Sequence, residues 1–181
     1  MLKLFIPPVQ GWDEDKEEFI ELEKAQELTL EHSLVSISKW ESKWHKPFLT
    51  KDVKTIEETI DYIRCMTITQ NVAPEVYGRI RNEHINQVNA YIEDPMTATW
   101  FREDNKRTRN REVITNERIY YWMITLGIPV NFEKWHLNRL LTLIRVCNEE
   151  NKPKDKMSRN ELINRRRAEN EARKKKWNTK G

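Results

Sequence analysis

The chain has 181 residues, 38% hydrophobic and 34% charged, with seven Trp, five Tyr and five Phe to supply a core and four glycines in all. That length suits one domain with appendages, and so few glycines argue against Gly-rich phosphate loops and glycine-punctuated β-sandwiches. The net charge of +3 conceals a split: residues 151–181 carry twelve Lys or Arg and four Asp or Glu, a local +8 that leaves −5 on residues 1–150.

In chain order, "LKLFIP" (2–7) reads as a short strand closed by Pro7 and Pro8. "VQGWDEDK" reads as a turn around Gly11, and "EEFIELEKA" as a second strand pairing with the first. Residues 13–31 hold nine acids and two lysines, so this end is acidic. From Thr29 the period changes. Leu30, Leu34, Ile37, Trp40 and Trp44 recur every three to four residues, a helical stripe that Pro47 ends.

"TIEETIDYIRCMT" opens with Thr55 and Glu58 at capping-box spacing and carries Ile56, Ile60, Ile63 and Met66 on one face. "APEVYGRIRNEHINQVNAYIEDP" reads as one helix starting at Pro74, with Tyr77, Ile80, His84 and Val88 as its stripe and Pro95 as its stop. "REDNKRTRNREV" is a charged loop containing Lys106, Arg107, Arg109 and Arg111. Thr115 caps "NERIYYWMITLGIP", which Gly127 and Pro129 end. Asn131 caps the last body helix, "FEKWHLNRLLTLIRVCNEE".

A polar linker with Pro153 follows, then Ser158 and Glu161 at capping-box spacing and "RNELINRRRAENEARKKKW". Leu162 and Ile163 are its sole aliphatics beyond alanine, so this charged helix leans on a partner rather than burying a stripe of its own. The fold expected is mainly α: an N-terminal β-hairpin region (1–28), a helical body (29–150) and a basic C-terminal tail (151–181).

Two Trp-His pairs, Trp44-His45 and Trp135-His136, invite a site. Packing is the simpler account, because both Trp fall on apolar stripes. Trp40, Trp44, Trp122 and Trp135 are the candidates for a shared aromatic core, with His45 and His136 at its rim, about 100° further round each helix. Neither the four histidines nor Cys65 and Cys147 form a close pair such as CxxC or HxxxH, so no metal and no cofactor is expected. The two cysteines read as free thiols in a reducing compartment. No HExxH, P-loop or nucleophile elbow occurs, and the chain reads as a non-enzyme. There is no charged-then-apolar leader and no apolar run near membrane-spanning length, so secretion and membrane insertion are disfavoured.

Binding is the remaining class. Arg165, Arg166, Arg167, Arg173, Lys174, Lys175 and Lys176 in the tail are the candidate partner-binding residues. Such a run, with Trp177 beside it, suits phosphate and base stacking in nucleic acid, an acidic protein, or the acidic end of another copy of this chain.

The blocks "LEHSLVSISKWESKWHKPF", "DYIRCMT", "DPMTATWF", "IYYWMITLGIP" and "WHLNRLLTLIRVCN" resemble a group of small tailed-bacteriophage proteins described as tail assembly chaperones. The resemblance runs over roughly residues 28–181. It implies a protein that coats the long, largely helical tape measure protein and yields as tube subunits polymerise around it, in the host cytoplasm during phage assembly. Many such chaperones are also made in a longer, frameshifted form. The same gene neighbourhood implies an alternative, a connector or tail-completion subunit that stays in the virion as a ring. A nucleic-acid-binding phage protein acting through the basic tail is the third reading.

Overall fold

The computed structural model describes residues 1–14, 17–101, 113–151 and 159–177. The charged loop and its Lys106, Arg107, Arg109 and Arg111, the linker with Pro153, and Ser158 of the second capping-box spacing lie outside the described residues. The fold is mainly α with an N-terminal antiparallel hairpin. It divides into two compact units, Met1–Asn148 and Glu149–Gly181.

Strand β1 (Leu2–Ile6) pairs antiparallel with β4 (Gln26–Leu30), bringing Leu4 opposite Leu28 and Leu2 opposite Leu30. Alternation sends Leu4, Ile6, Leu28 and Leu30 fully into the core and leaves Phe5 exposed. Between them β2 (Val9–Asp13) and β3 (Glu18–Glu23) form a second hairpin. This corrects two expectations. "VQGW" is a strand, not a turn, and the strand at 18–23 pairs with it rather than with β1. The reversal falls instead in the acidic stretch around Glu14 and Glu17, the latter at φ 51°. Gly11 is required for close approach: a Cβ there would meet Leu22 Cδ1 at 2.7 Å, beside the register shift at Val9/Gln10.

Leu30 belongs to β4 and not to the first helix. Helix α1 (Leu34–Trp44) begins where Ser33 and Ser36 cap one another: Ser33 N–H donates to Ser36 Oγ at 3.0 Å and Ser36 N–H to Ser33 Oγ at 3.4 Å. His45, left-handed at φ 53°, closes it. Helix α2 (Ile56–Met66) carries the expected box, with Glu58 N–H donating to Thr55 Oγ1 at 3.2 Å and Thr55 N–H to Glu58 Oε2 at 2.8 Å. The chain leaving α2 runs along β4, where Ile68 N–H donates to Thr29 O and Glu31 N–H to Met66 O.

The stretch expected as one helix from Pro74 is two, α3 (Pro74–Gly78) and α4 (Asn82–Glu93). The break is fixed by Arg81, extended at φ −108°, whose N–H donates to His84 Nδ1 at 3.0 Å. Helix α5 (Asn116–Thr125) ends at Gly127, φ 66°. Residues Val130–Lys134 form a 3-10 turn rather than the first turn of α6 (Leu137–Asn151). Tertiary pairing delays that helix: His136 bridges to Ser33, and Leu137 N–H donates to His32 O at 2.8 Å. The core joins Leu34, Ile37 and Trp40 of α1 to Ile63 and Met66 of α2, Ile119 and Met123 of α5, and Leu137 and Leu140 of α6.

The second unit contains α7 (Arg159–Trp177). Its described side chains are exposed, as expected for a helix without an apolar stripe.

Candidate protein-binding surfaces

The first Trp-His pair belongs to the joint between α1 and α2. Trp40 is buried; its Nε1–H donates to Glu58 O at 2.9 Å and its ring meets Phe48 edge-on at 5.2 Å. Trp44, half-buried, stacks on Trp40 at 6.1 Å and donates from Nε1 to Asp61 Oδ2 at 2.9 Å. Lys43 reaches the other oxygen of Asp61 at 2.5 Å, and Lys46 reaches Glu58 at 2.6 Å. Burial pushes the Asp61 carboxyl up, but the bonds from Lys43 and Trp44 outweigh it and hold the group below its usual range. Lys46 and the Thr55 N–H do the same for Glu58. Trp122 is half-buried on α5, and Trp135 stacks on Phe132 at 4.0 Å under the Arg139 guanidinium. Among the described residues, no ring contact ties Trp122 or Trp135 to Trp40 and Trp44.

His45 is the cap of α1. His136 is not at a rim: it is buried, with its ring edge-on to His32 at 5.1 Å and its Nε2–H donating to Tyr91 O at 3.0 Å. His32 is buried too, sharing a 2.5 Å hydrogen bond with the Tyr62 hydroxyl, which also bonds Ser36 Oγ at 3.2 Å. Burial, reinforced by His136, pushes the His32 pKa down to about 3. Burial raises the Tyr62 hydroxyl well above its ordinary value. Both imidazoles therefore stay neutral at neutral pH, as polar links between β4, α2, α4 and the start of α6. The sequence signal was faint, since four scattered histidines carry no spacing. Among the described residues, no group of three or more His, Cys, Asp or Glu is placed to hold a metal ion. Cys65 and Cys147 are free and half-buried, and burial raises the Cys65 thiol.

Several concave regions open on the body, and two of them flank the α1–α2 joint and the α2–α4 seam. One, of about 500 Å³, is lined by Glu41, Ser42, His45, Lys46, Thr115 and Asn116. The buried Glu41 carboxylate is fully engaged there, accepting from Phe48 N–H at 2.7 Å and from Asn116 N–H at 2.8 Å. The other, of about 300 Å³, runs between α2 and α4 and is floored by Phe48, Ile63, Ile85, Val88 and Ile92. Lys54 overhangs it, 4.3 Å from the Phe48 ring centre, and donates to Phe48 O at 2.9 Å. Burial pushes its ammonium down from the usual lysine value. An apolar floor with Lys54, Asp52, Thr59 and the exposed amide of Asn89 around it suits aliphatic side chains from a helix with polar groups on its flanks.

The remaining surfaces lie on the two appendages. The β2–β3 arm exposes Trp12 and Phe19, which sit opposite one another and meet edge-to-face at 5.0 Å. Of the candidate tail residues, Arg165, Arg166, Arg167, Arg173, Lys174 and Lys176 are exposed on α7, where Arg165 Nε donates to Glu169 at 3.0 Å. Against protein-family models, curated proteins and solved structures, the chain shows no match. No helix of the described residues is long and apolar enough to cross a membrane.

Proposed function

We infer that the protein is a protein-binding assembly factor, and specifically a tail assembly chaperone that holds the tape measure protein of a tailed phage until tube subunits replace it. The observation that carries this reading is the α2–α4 groove. Its apolar floor accepts a helix by its side chains, and its small size keeps each contact weak. Weak contacts repeated along a long client allow retention by avidity and release by displacement. The sequence resemblance supplies the client.

The test is a pull-down from nuclease-treated lysate of cells assembling phage tails, with the retained proteins identified by mass. Full-length protein should retain the tape measure protein. Ile85→Glu with Ile92→Glu, the two half-buried residues of the groove floor, should lose it while keeping a cooperative melt. Retention of virion ring proteins without the tape measure protein would overturn the chaperone reading in favour of a connector or completion subunit.

A further inference from the structure

We propose that copies of this chain associate head to tail, the acidic β2–β3 arm of one copy receiving the basic helix α7 of the next. The proposal is independent of the identity of any client.

The arm is a short ribbon whose exposed face carries an aromatic pair. Trp12 and Phe19 are 53% and 71% exposed, so neither ring serves the core. Register places Glu21, opposite Gln10, on the same face as the two rings, one step along each strand. Glu23, further along that face, is held by Arg79 at 3.1 Å, while exposed Glu14 and Glu17 at the reversal and Glu18 on the opposite face add to the negative charge of the arm as a whole. Aromatic faces beside carboxylates are a receptor for guanidinium and ammonium groups, through cation–π attraction and charge-assisted hydrogen bonds together.

Helix α7 presents the complement. The helical period puts Arg166, Asn170, Arg173, Lys174 and Trp177 along one side, and Trp177 is 72% exposed. A helix this polar has no stripe to bury, so contact from outside must supply what packing does not. The dimensions agree: nineteen residues of helix span roughly 28 Å, and a six-residue strand spans about 20 Å. Both surfaces occur on every copy and differ from one another. A contact between them is therefore heterologous, and it propagates into a ring or a filament according to the rotation per step.

The experiment uses two full-length charge-swapped chains. One carries Glu18→Lys and Glu21→Lys in the arm, both at exposed positions; the other carries Arg166→Glu and Arg173→Glu in α7. Sedimentation velocity of the nuclease-treated wild type at low salt should show oligomers that dissociate at high salt. Each swapped chain alone should lose association, because like charges then meet, and an equal mixture should regain it. Trp12→Ser with Phe19→Ser should also abolish association while leaving the melting temperature unchanged. A wild type that stays monomeric at low salt would overturn the proposal. So would swapped chains that assemble like wild type, or a mixture that fails to assemble, as docking of α7 within its own chain would produce. Association that disappears on nuclease treatment would assign α7 to nucleic acid and overturn it equally.

Discussion

Glu41 and Asn116, 75 residues apart, are joined twice at one oxygen: Glu41 Oε2 accepts the backbone N–H of Asn116 at 2.8 Å and its side-chain Nδ2–H at 2.5 Å. The other oxygen takes Phe48 N–H. A carboxylate rising from α1 thus stands at the N-terminus of α5, where Thr115 occupies the cap position without a side-chain cap bond. It meets the free amides and the positive end of the helix dipole.

Replacing Glu41 by Ala orphans two buried backbone donors, Phe48 N–H and Asn116 N–H, and takes one of two acceptors from Asn116 Nδ2, which keeps Glu117 Oε1 at 3.1 Å. The expected loss is about 3 kcal/mol of stability. Glu41→Gln keeps one acceptor oxygen and should recover about half of that loss. Urea unfolding followed by circular dichroism measures both, and an unchanged midpoint in the Ala variant would refute the linkage.

The two tryptophans of α1 should separate in a melt. Trp40 is buried and Trp44 half-buried. Trp40→Ala is expected to cost about 4 kcal/mol and Trp44→Ala about half as much. Trp44→Phe keeps the stacking on Trp40 but removes the donor to Asp61, for a loss of about 1 kcal/mol. If Trp44→Ala melts like wild type and instead loses a bound client, Trp44 is a docking residue.

What was legible in the sequence was local. Thr55 and Glu58, Pro47, Pro74 and Gly127 mark helix boundaries by chemistry that acts within a few residues, and each sits where that chemistry places it. Leu30 misled because it fits two periods: it is four residues from Leu34 and two from Leu28. Pairing with Leu2 decides for the strand. The breaks before α4 and α6 come from Arg81–His84 and Ser33–His136, and an apolar stripe carries no sign of either. Glu41 stands next to Trp40 in the sequence as an ordinary charged neighbour would. Its partners are long-range, so single-residue patterning could not reveal its role.

Arg79 fixes the base of the β2–β3 arm. Its guanidinium donates from Nη1 to Pro7 O at 2.9 Å and to Lys24 O at 3.2 Å, and its Nε lies 3.1 Å from Glu23 Oε2. Those residues flank the points where the chain enters and leaves the arm. Arg79→Ala should therefore raise hydrogen exchange at amides 18–23 while costing the body about 1 kcal/mol. Arg79→Lys should not restore protection, because one ammonium cannot reproduce the planar fork that spans both strands. Unchanged exchange in Arg79→Ala would show that the hairpin orients itself without the clamp.

Acid should weaken the fold earlier than its carboxylates alone would dictate, and His32 supplies the reason. Folded His32 titrates near pH 3, whereas the unfolded chain's imidazole titrates at its ordinary value of 6.5. Between those values the unfolded state holds a proton that the folded state does not, so stability is complete above pH 6.5 and falls as pH drops toward 3. By about pH 5 the loss from this one group is about 2 kcal/mol. Asp61 and Glu58, both held below their ordinary values, add their own loss only at more acidic pH, where unfolded carboxylates begin to take up protons. His32→Asn removes the titrating group while an amide retains a polar link toward Tyr62. The variant should begin less stable at about pH 7, and its urea midpoint should change less than that of the wild type between about pH 7 and about pH 5. Equal slopes for the two proteins would show that the imidazole takes up its proton without leaving the core.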